Sequence, residues 1–195
     1  MDIVFEQIKV GNFRNFGYVL GDKDAKQAVL IDPSWDPSLF VKQACGQGLD
    51  VVYVINTHGH EDHANGNDTA VSATDSKLLE YPVDGQKLSL GGLRINFYRA
   101  PGHCADHILI HEEVHDLLFT GDLLFVGAVG GIKATGDLKA EWNSLRRLKK
   151  FPQGATVWPG HDYGERPSST LKQEFASNPY LMCKNFKEFK SLMNA

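Results

Sequence analysis

The chain has 195 residues, 42% of them hydrophobic and 23% charged, which suits one soluble globular domain and is short for two. A formal net charge of -4 gives no reason to expect a nucleic-acid partner, whose phosphates require a basic face. No apolar run reaches the length of a membrane span, the start lacks a secretory signal, and three cysteines (Cys45, Cys104, Cys183) without a CxxC pair fit a reducing cytoplasm.

No internal repeat, low-complexity tract or Gly/Pro/Ser-rich linker interrupts the chain, so residues 1–195 read as a single domain. Short apolar runs bounded by turn residues predict strands over 5–10, 16–21 and 28–32. Pro33 and Pro37 break that pattern. Helical spacing of Leu39, Phe40 and Ala44 then predicts a helix over 38–46.

Four later apolar runs share a design. Residues 51–56 lead into Thr57-His58-Gly59-His60, with a helix opening over 61–67. Residues 95–100 lead into Pro101-Gly102-His103, and 117–120 into Gly121-Asp122. A helix is expected over 139–151, where Trp142, Leu145 and Leu148 share a face and Arg and Lys fill the last turns. Residues 155–158 lead into Pro159-Gly160-His161, and helices are expected over 168–176 and 186–193. Continuous apolar runs suit strands buried on both faces, and helices are expected to cover the sheet. Each run ends in a glycine-containing turn that carries a His or an Asp. Strand ends of this kind can bring distant residues to one rim of a sheet.

The densest signal is His58-Gly59-His60-Glu61-Asp62-His63. Histidines at i and i+2 on extended chain point the same way and can share a cation. Asp62 and His63 follow where the chain turns into a helix, and can serve a second cation nearby. His103, Asp122 and His161 complete seven candidates, enough for two divalent metals with open positions, as catalysis requires. Imidazole with carboxylate suits Zn first, with Fe or Mn as alternatives. Such a pair of cations activates water for hydrolysis of a small-molecule substrate, with Asp62 and Asp122 as the expected catalytic carboxylates. His107, His111 and His115 read as solvated or core hydrogen-bonding residues, and Cys104 as a small buried one.

His58-Gly59-His60-Glu61-Asp62-His63 with His103, Asp122 and His161 in this order resembles the metallo-β-lactamase superfamily motif HxHxDH…H…D…H. Thr120-Gly121-Asp122-Leu123-Leu124-Phe125 and Pro159-Gly160-His161-Asp162-Tyr163 resemble the glyoxalase II (hydroxyacylglutathione hydrolase) branch. The resemblance implies an α/β (α+β) fold, a four-layer αββα sandwich with its metals at one edge. It implies that His58, His60 and His103 hold one metal and Asp62, His63 and His161 a second. Asp122 bridges them. Asp32 is then either an outer residue orienting a ligand or a turn carboxylate before Pro33.

The implied reaction is hydrolysis of a small thioester. Persulfide dioxygenation at one iron held by His58, His103 and Asp122 is the alternative within the superfamily, and another small ester or lactone is a further substrate alternative. The chain resembles a short form without the C-terminal helical domain that helps bind glutathione. Gly127-Ala128-Val129-Gly130-Gly131-Ile132-Lys133 stands where the family has Gly-Cys-Gly and a basic residue, and Asp106 stands where it has Gly. Lys133 and Tyr163 are the candidate substrate contacts. A non-catalytic module on this fold would be expected to have lost ligands, and none is missing. The oligomeric state has no signature in the sequence.

Overall fold

The computed structural model describes residues 2–194. The chain opens with strands β1 (Ile3–Val10), β2 (Asn15–Asp22) and β3 (Gln27–Ile31), then helix α1 (Pro37–Gly46) and β4 (Asp50–Ile55). Two short helices, α2 (Glu61–Ala64) and α3 (Asn67–Thr74), precede β5 (Lys77–Leu79). β6 (Lys87–Leu90), β7 (Leu93–Arg99), β8 (Ile108–Glu112) and β9 (Leu117–Gly121) follow as an antiparallel run. Helix α4 (Leu138–Arg147) leads to β10 (Thr156–Pro159), β11 (Ser169–Thr170), α5 (Leu171–Ser177), α6 (Pro179–Met182) and α7 (Phe186–Met193).

Two sheets result, in the orders β1-β2-β3-β4-β5 and β11-β10-β9-β8-β7-β6. Strand alternation sorts the side chains into layers. Tyr18, Leu20, Val29 and Ile31 face Ile95, Phe97, Ile110 and Phe119 between the sheets. The intervening Val19, Ala28 and Leu30 pack outward on Phe40 of α1 and Ala70 of α3. On the far side Leu109, Leu118 and Val157 pack on Trp142, Leu145, Leu171 and Phe189 of α4, α5 and α7. The three apolar clusters are the three seams of an αββα sandwich.

β3 runs parallel to β4, and β9 parallel to β10. β7 reaches the direction of β9 through two antiparallel pairings. The C-terminal ends of β7, β9 and β10 therefore share one edge of their sheet. Backbone bonds join the sheets there: Phe16 N–H donates to the Gly160 carbonyl (2.8 Å) and Ile108 N–H to the Thr57 carbonyl (2.8 Å).

Several expected boundaries shift. The helix expected over 61–67 stops at Ala64, and a separate helix starts at Asn67. The helix expected over 139–151 gives way to a tighter turn at Leu148–Lys150. The helix expected over 168–176 begins only at Leu171, because Ser169 and Thr170 pair with β10 and Thr170 caps the helix. β10 alternates in burial rather than being covered on both faces. Among the described residues, no helix is long and apolar enough to cross a membrane, and the three cysteines are unpaired.

Tyr18 ties the two sheets together at its tip. Its buried hydroxyl donates to the Pro159 carbonyl and accepts from Gln7 Nε2 (3.2 Å). Tyr18→Phe would leave that carbonyl unpaired in the core. A loss of about 1–3 kcal/mol is expected from urea unfolding of the variant against the wild type. An unchanged midpoint would show that water replaces the hydroxyl.

Candidate metal centre

All seven sequence candidates meet at the shared edge. His58, His60, Asp62 and His63 come from the segment after β4, and His103 from the turn after β7. Asp122 follows β9 and His161 follows β10. Gly121 precedes Asp122 with φ +47, and a Cβ there would press on Thr57 and His107 at 2.7 Å, so only glycine brings the chain this close.

The donor atoms fall into two groups. His103 Nε2 lies 3.0 Å from His60 Nδ1 and 3.5 Å from Asp122 Oδ2. His63 Nε2 lies 3.2 Å from His161 Nε2 and 3.4 Å from Asp122 Oδ1. His161 Nε2 is 3.3 Å from Asp122 Oδ2 and 3.5 Å from Asp62 Oδ2. A cation about 2.0–2.2 Å from each donor separates neighbouring donors by about 3.0–3.5 Å. Asp122 belongs to both groups. Cys104 Sγ is within 4.8 Å of donor atoms of His58, His60 and His103, and burial pushes its thiol pKa up.

The outer hydrogen bonds set the ring tautomers. His103 Nδ1–H donates to the Gly131 carbonyl (2.6 Å), and His161 Nδ1–H to the Phe13 carbonyl (2.9 Å). His63 Nδ1–H donates to Asp32 Oδ2 (3.1 Å). Thr57 Oγ1–H donates to that same oxygen (2.7 Å), so Thr57 Oγ1 accepts from His58 Nδ1–H (3.1 Å). Four imidazoles thus turn Nε2, the nitrogen left to coordinate a cation or hold a proton, toward one another. His58 Nε2 and Asp122 Oδ1 are buried without a hydrogen-bond partner among the described residues. Converging lone pairs beside a carboxylate repel unless a cation sits among them, so the residues present fit a metal-binding cluster.

The electrostatics agree. Burial opposes charge on His63, but Asp122 and Asp32 outweigh it and hold its pKa well above the ordinary value. Burial likewise opposes the Asp122 carboxylate, and His63 and His161 outweigh it and hold it well below the usual range. His58 is pushed well below its ordinary value by burial and by His63. Without a cation, a proton on His63 therefore compensates Asp122.

Asp32 accepts hydrogen bonds from Thr57 and His63, so it orients a candidate ligand as well as standing in the turn before Pro33. Asp106 supports the centre as well, since its carboxylate accepts from Gly59 N–H (2.7 Å) and fixes the turn between His58 and His60. His107 is the core hydrogen-bonder that the sequence allowed. Burial lowers it to about 3, so its neutral Nε2 accepts from Asp122 N–H (3.1 Å). His111 and His115 lie away from the centre, beside Asp116 and Glu112. Asn15 was not foreseen. Its Nδ2 donates to the Asp62 carbonyl and to Asp62 Oδ2, both at 3.0 Å. No local motif marks it, since its partner is 47 residues away. Glu141 was also missed; it is fully buried beneath the His103 turn, and burial pushes its carboxyl well above the usual carboxylate range.

A cleft of about 520 Å³ opens over the cluster. Tyr163 and Lys133 both line it, with Phe13, Trp35 and Phe125. The Tyr163 ring stacks on His161 (4.6 Å between centroids, 5° between planes), so it is both a packed aromatic and a cleft residue.

Residues 11–89 and 80–161 match the metallo-beta-lactamase superfamily. A probable polyketide biosynthesis zinc-dependent hydrolase, BaeB, of Bacillus velezensis is 27% identical over the whole chain and 95% of its own length. A hydroxyacylglutathione hydrolase of Erythrobacter litoralis is 31% identical over 76% of the chain, which spans only 63% of that enzyme. The human mitochondrial persulfide dioxygenase ETHE1 is 27% identical over 92% of the chain and 77% of its own. Among solved structures, ETHE1 from Myxococcus xanthus superposes with a TM-score of 0.91 at 27% identity, covering 98% of this chain and 90% of that one. TTHA1623 in a di-iron-bound form superposes at 0.77 with 26% identity, covering 90% and 100%. With the αββα sandwich, the histidine–aspartate cluster at its edge and this match over most of its length, the chain belongs to the metallo-beta-lactamase superfamily.

Proposed function

We propose that the chain is a binuclear metallohydrolase that cleaves a small thioester. The observation that carries this reading is Asp122, whose two carboxylate oxygens lie near His63 and His161 on one side and His103 on the other, with His60, Asp62, His103, Asp122 and His161 lining one cleft. His58, His60 and His103 with Asp122 would hold one divalent cation; Asp62, His63 and His161 with Asp122 would hold the other. Zinc suits these donors best, and iron or manganese also fits. When bound, two such cations polarise a carbonyl and make water nucleophilic near neutral pH, so no Ser or Cys nucleophile is required.

The chain's own residues hold this arrangement and shape the substrate's place. Asn15 fixes Asp62, Asp32 fixes His63, and His107 fixes the backbone of Asp122. Tyr163 shields one face of His161, and exposed Lys133 places a positive charge on the cleft wall. A thiolate leaving group needs little protonation, so the reaction places little demand on a general acid.

The second reading, a mononuclear iron persulfide dioxygenase, is favoured by the extent of the likeness to ETHE1. Metal analysis with two assays separates them. The hydrolase reading expects two metals per chain and turnover of S-D-lactoylglutathione or simpler acyl thioesters. One iron per chain with oxygen uptake on glutathione persulfide, and no thioester turnover, would overturn it.

Asp32 gives a further expectation. Asp32→Asn keeps the shape but removes the charge that orients His63 directly and His58 through Thr57. Metal affinity should fall by about 10- to 100-fold, read by competition with a chromophoric chelator. Unchanged affinity would mean that Asp32 serves only the turn.

A further inference from the structure

Three exposed aromatic side chains gather at the cleft. Phe13 is 56% exposed, Tyr163 50% and Trp35 40%, and all three line it beside Asp62 and His161. The Phe13 and Trp35 rings meet edge to face, 6.0 Å between centroids. Trp35 has φ +62, a left-handed conformation that a bulky residue adopts only when its surroundings enforce it.

Three contacts enforce it. Trp35 N–H donates to Asn65 Oδ1 (2.7 Å), and the indole Nε1–H donates to Asn15 Oδ1 (3.0 Å). The ring lies against Gly11, itself at φ +67, where any Cβ would collide with the indole. A strained backbone and three partners thus hold an aromatic ring that is still well exposed. Core packing does not account for that; a ligand on the open face of the ring does.

The cleft is also polarised. The apolar wall is tied to the second donor group, through the Phe13 carbonyl on His161 and through Asn15 on Asp62. The opposite wall is tied to the first, through the Gly131 carbonyl on His103 and Lys133 N–H on the His103 carbonyl (2.9 Å). Lys133 carries the positive charge of that wall.

We propose that Phe13 and Trp35 form an acyl subsite continuous with the metal centre, selecting thioesters whose acyl group is a hydrocarbon chain or an aromatic ring. The anionic thiol portion lies toward Lys133. This deepens the thioester hydrolase reading and rests on it for its kinetic part. A small hydroxylated acyl group gains little from such a wall, whereas each added methylene covers more of the indole and phenyl faces.

The test uses the zinc-loaded full chain and thioesters of one common thiol with straight acyl groups of increasing length. In the wild type, kcat/KM should rise by roughly two- to fourfold per methylene until the wall is covered. Trp35→Ala and Phe13→Ala should flatten that rise, the latter while keeping the carbonyl that holds His161; Trp35→Phe should restore most of it. Binding of non-hydrolysable thioether analogues, followed by tryptophan fluorescence, needs no turnover. Affinity should climb with chain length, and the quench should vanish in Trp35→Phe although that variant still binds. Turnover and affinity both independent of acyl length would overturn the subsite and leave the hydrolase standing. Affinity that climbs with acyl length through Trp35, with no thioester turned over, would keep the subsite and remove the hydrolase.

Discussion

The centre depends on one buried carboxylate. Asp32 sits just beyond β3, 1% exposed, with φ +49. A carboxylate in such a place is tolerable only if donors surround it. Thr57 N–H, Thr57 Oγ1–H and His63 Nδ1–H do so at 2.7–3.1 Å. Because the Thr57 hydroxyl donates to Asp32, its lone pairs remain for His58. One negative charge therefore sets the tautomer of a histidine in each donor group. The same bonds pin the start of the 57–63 segment to the end of β3, so ligand orientation and sheet geometry are one constraint.

The other sheet answers with backbone rather than charge. His103 and His161 are oriented by the carbonyls of Gly131 and Phe13, and Asp122 by a donor bond to neutral His107. Neutral partners leave the net charge of the pocket to Asp32, Asp62 and Asp122, which favours cations there. Burial of His58 leaves its Nε2 without a hydrogen-bond partner among the described residues, which favours a cation there. The region between the sheets is thus poised by electrostatics, while the apolar seams behind it supply the rigidity.

The donor set was legible because it is written locally. Three histidines and an aspartate in six positions after an apolar run need little tertiary knowledge to interpret. His103, Asp122 and His161 were legible through their shared strand–glycine–ligand setting. The long apolar strands were found for the same reason, whereas β5, β6, β8 and β11 were not. Lys77–Leu79 and Ser169–Thr170 are too short to show a period, and His111 and Glu112 interrupt the apolar pattern of β8. The supporting residues were hardest. Asn15 and Trp35 act through partners 47 and 20 residues away, and neither spacing nor residue type marks them beforehand; His107 was read as solvated or core hydrogen-bonding, without its partner Asp122 15 residues away. Asp106 was visible only as a departure from the family pattern; its bond to Gly59 supplies the physical reason.

Chemistry and selectivity are supported by different parts of the chain but are not independent. The ligands stand at strand ends, where backbone pairing fixes them; the cleft walls come from loops, where sequence is freer to change. One metal arrangement can therefore serve several reactions, and likeness in the ligand set does not decide among them. In this chain the walls also hold the ligands. The residue whose ring forms the apolar wall, Phe13, orients His161 with its carbonyl, and the loop that presents Lys133 orients His103. A loop change that alters the substrate's seat also alters the direction of a metal-facing lone pair. Side-chain substitutions that leave these two carbonyls in place are the route by which selectivity can shift while the centre is kept.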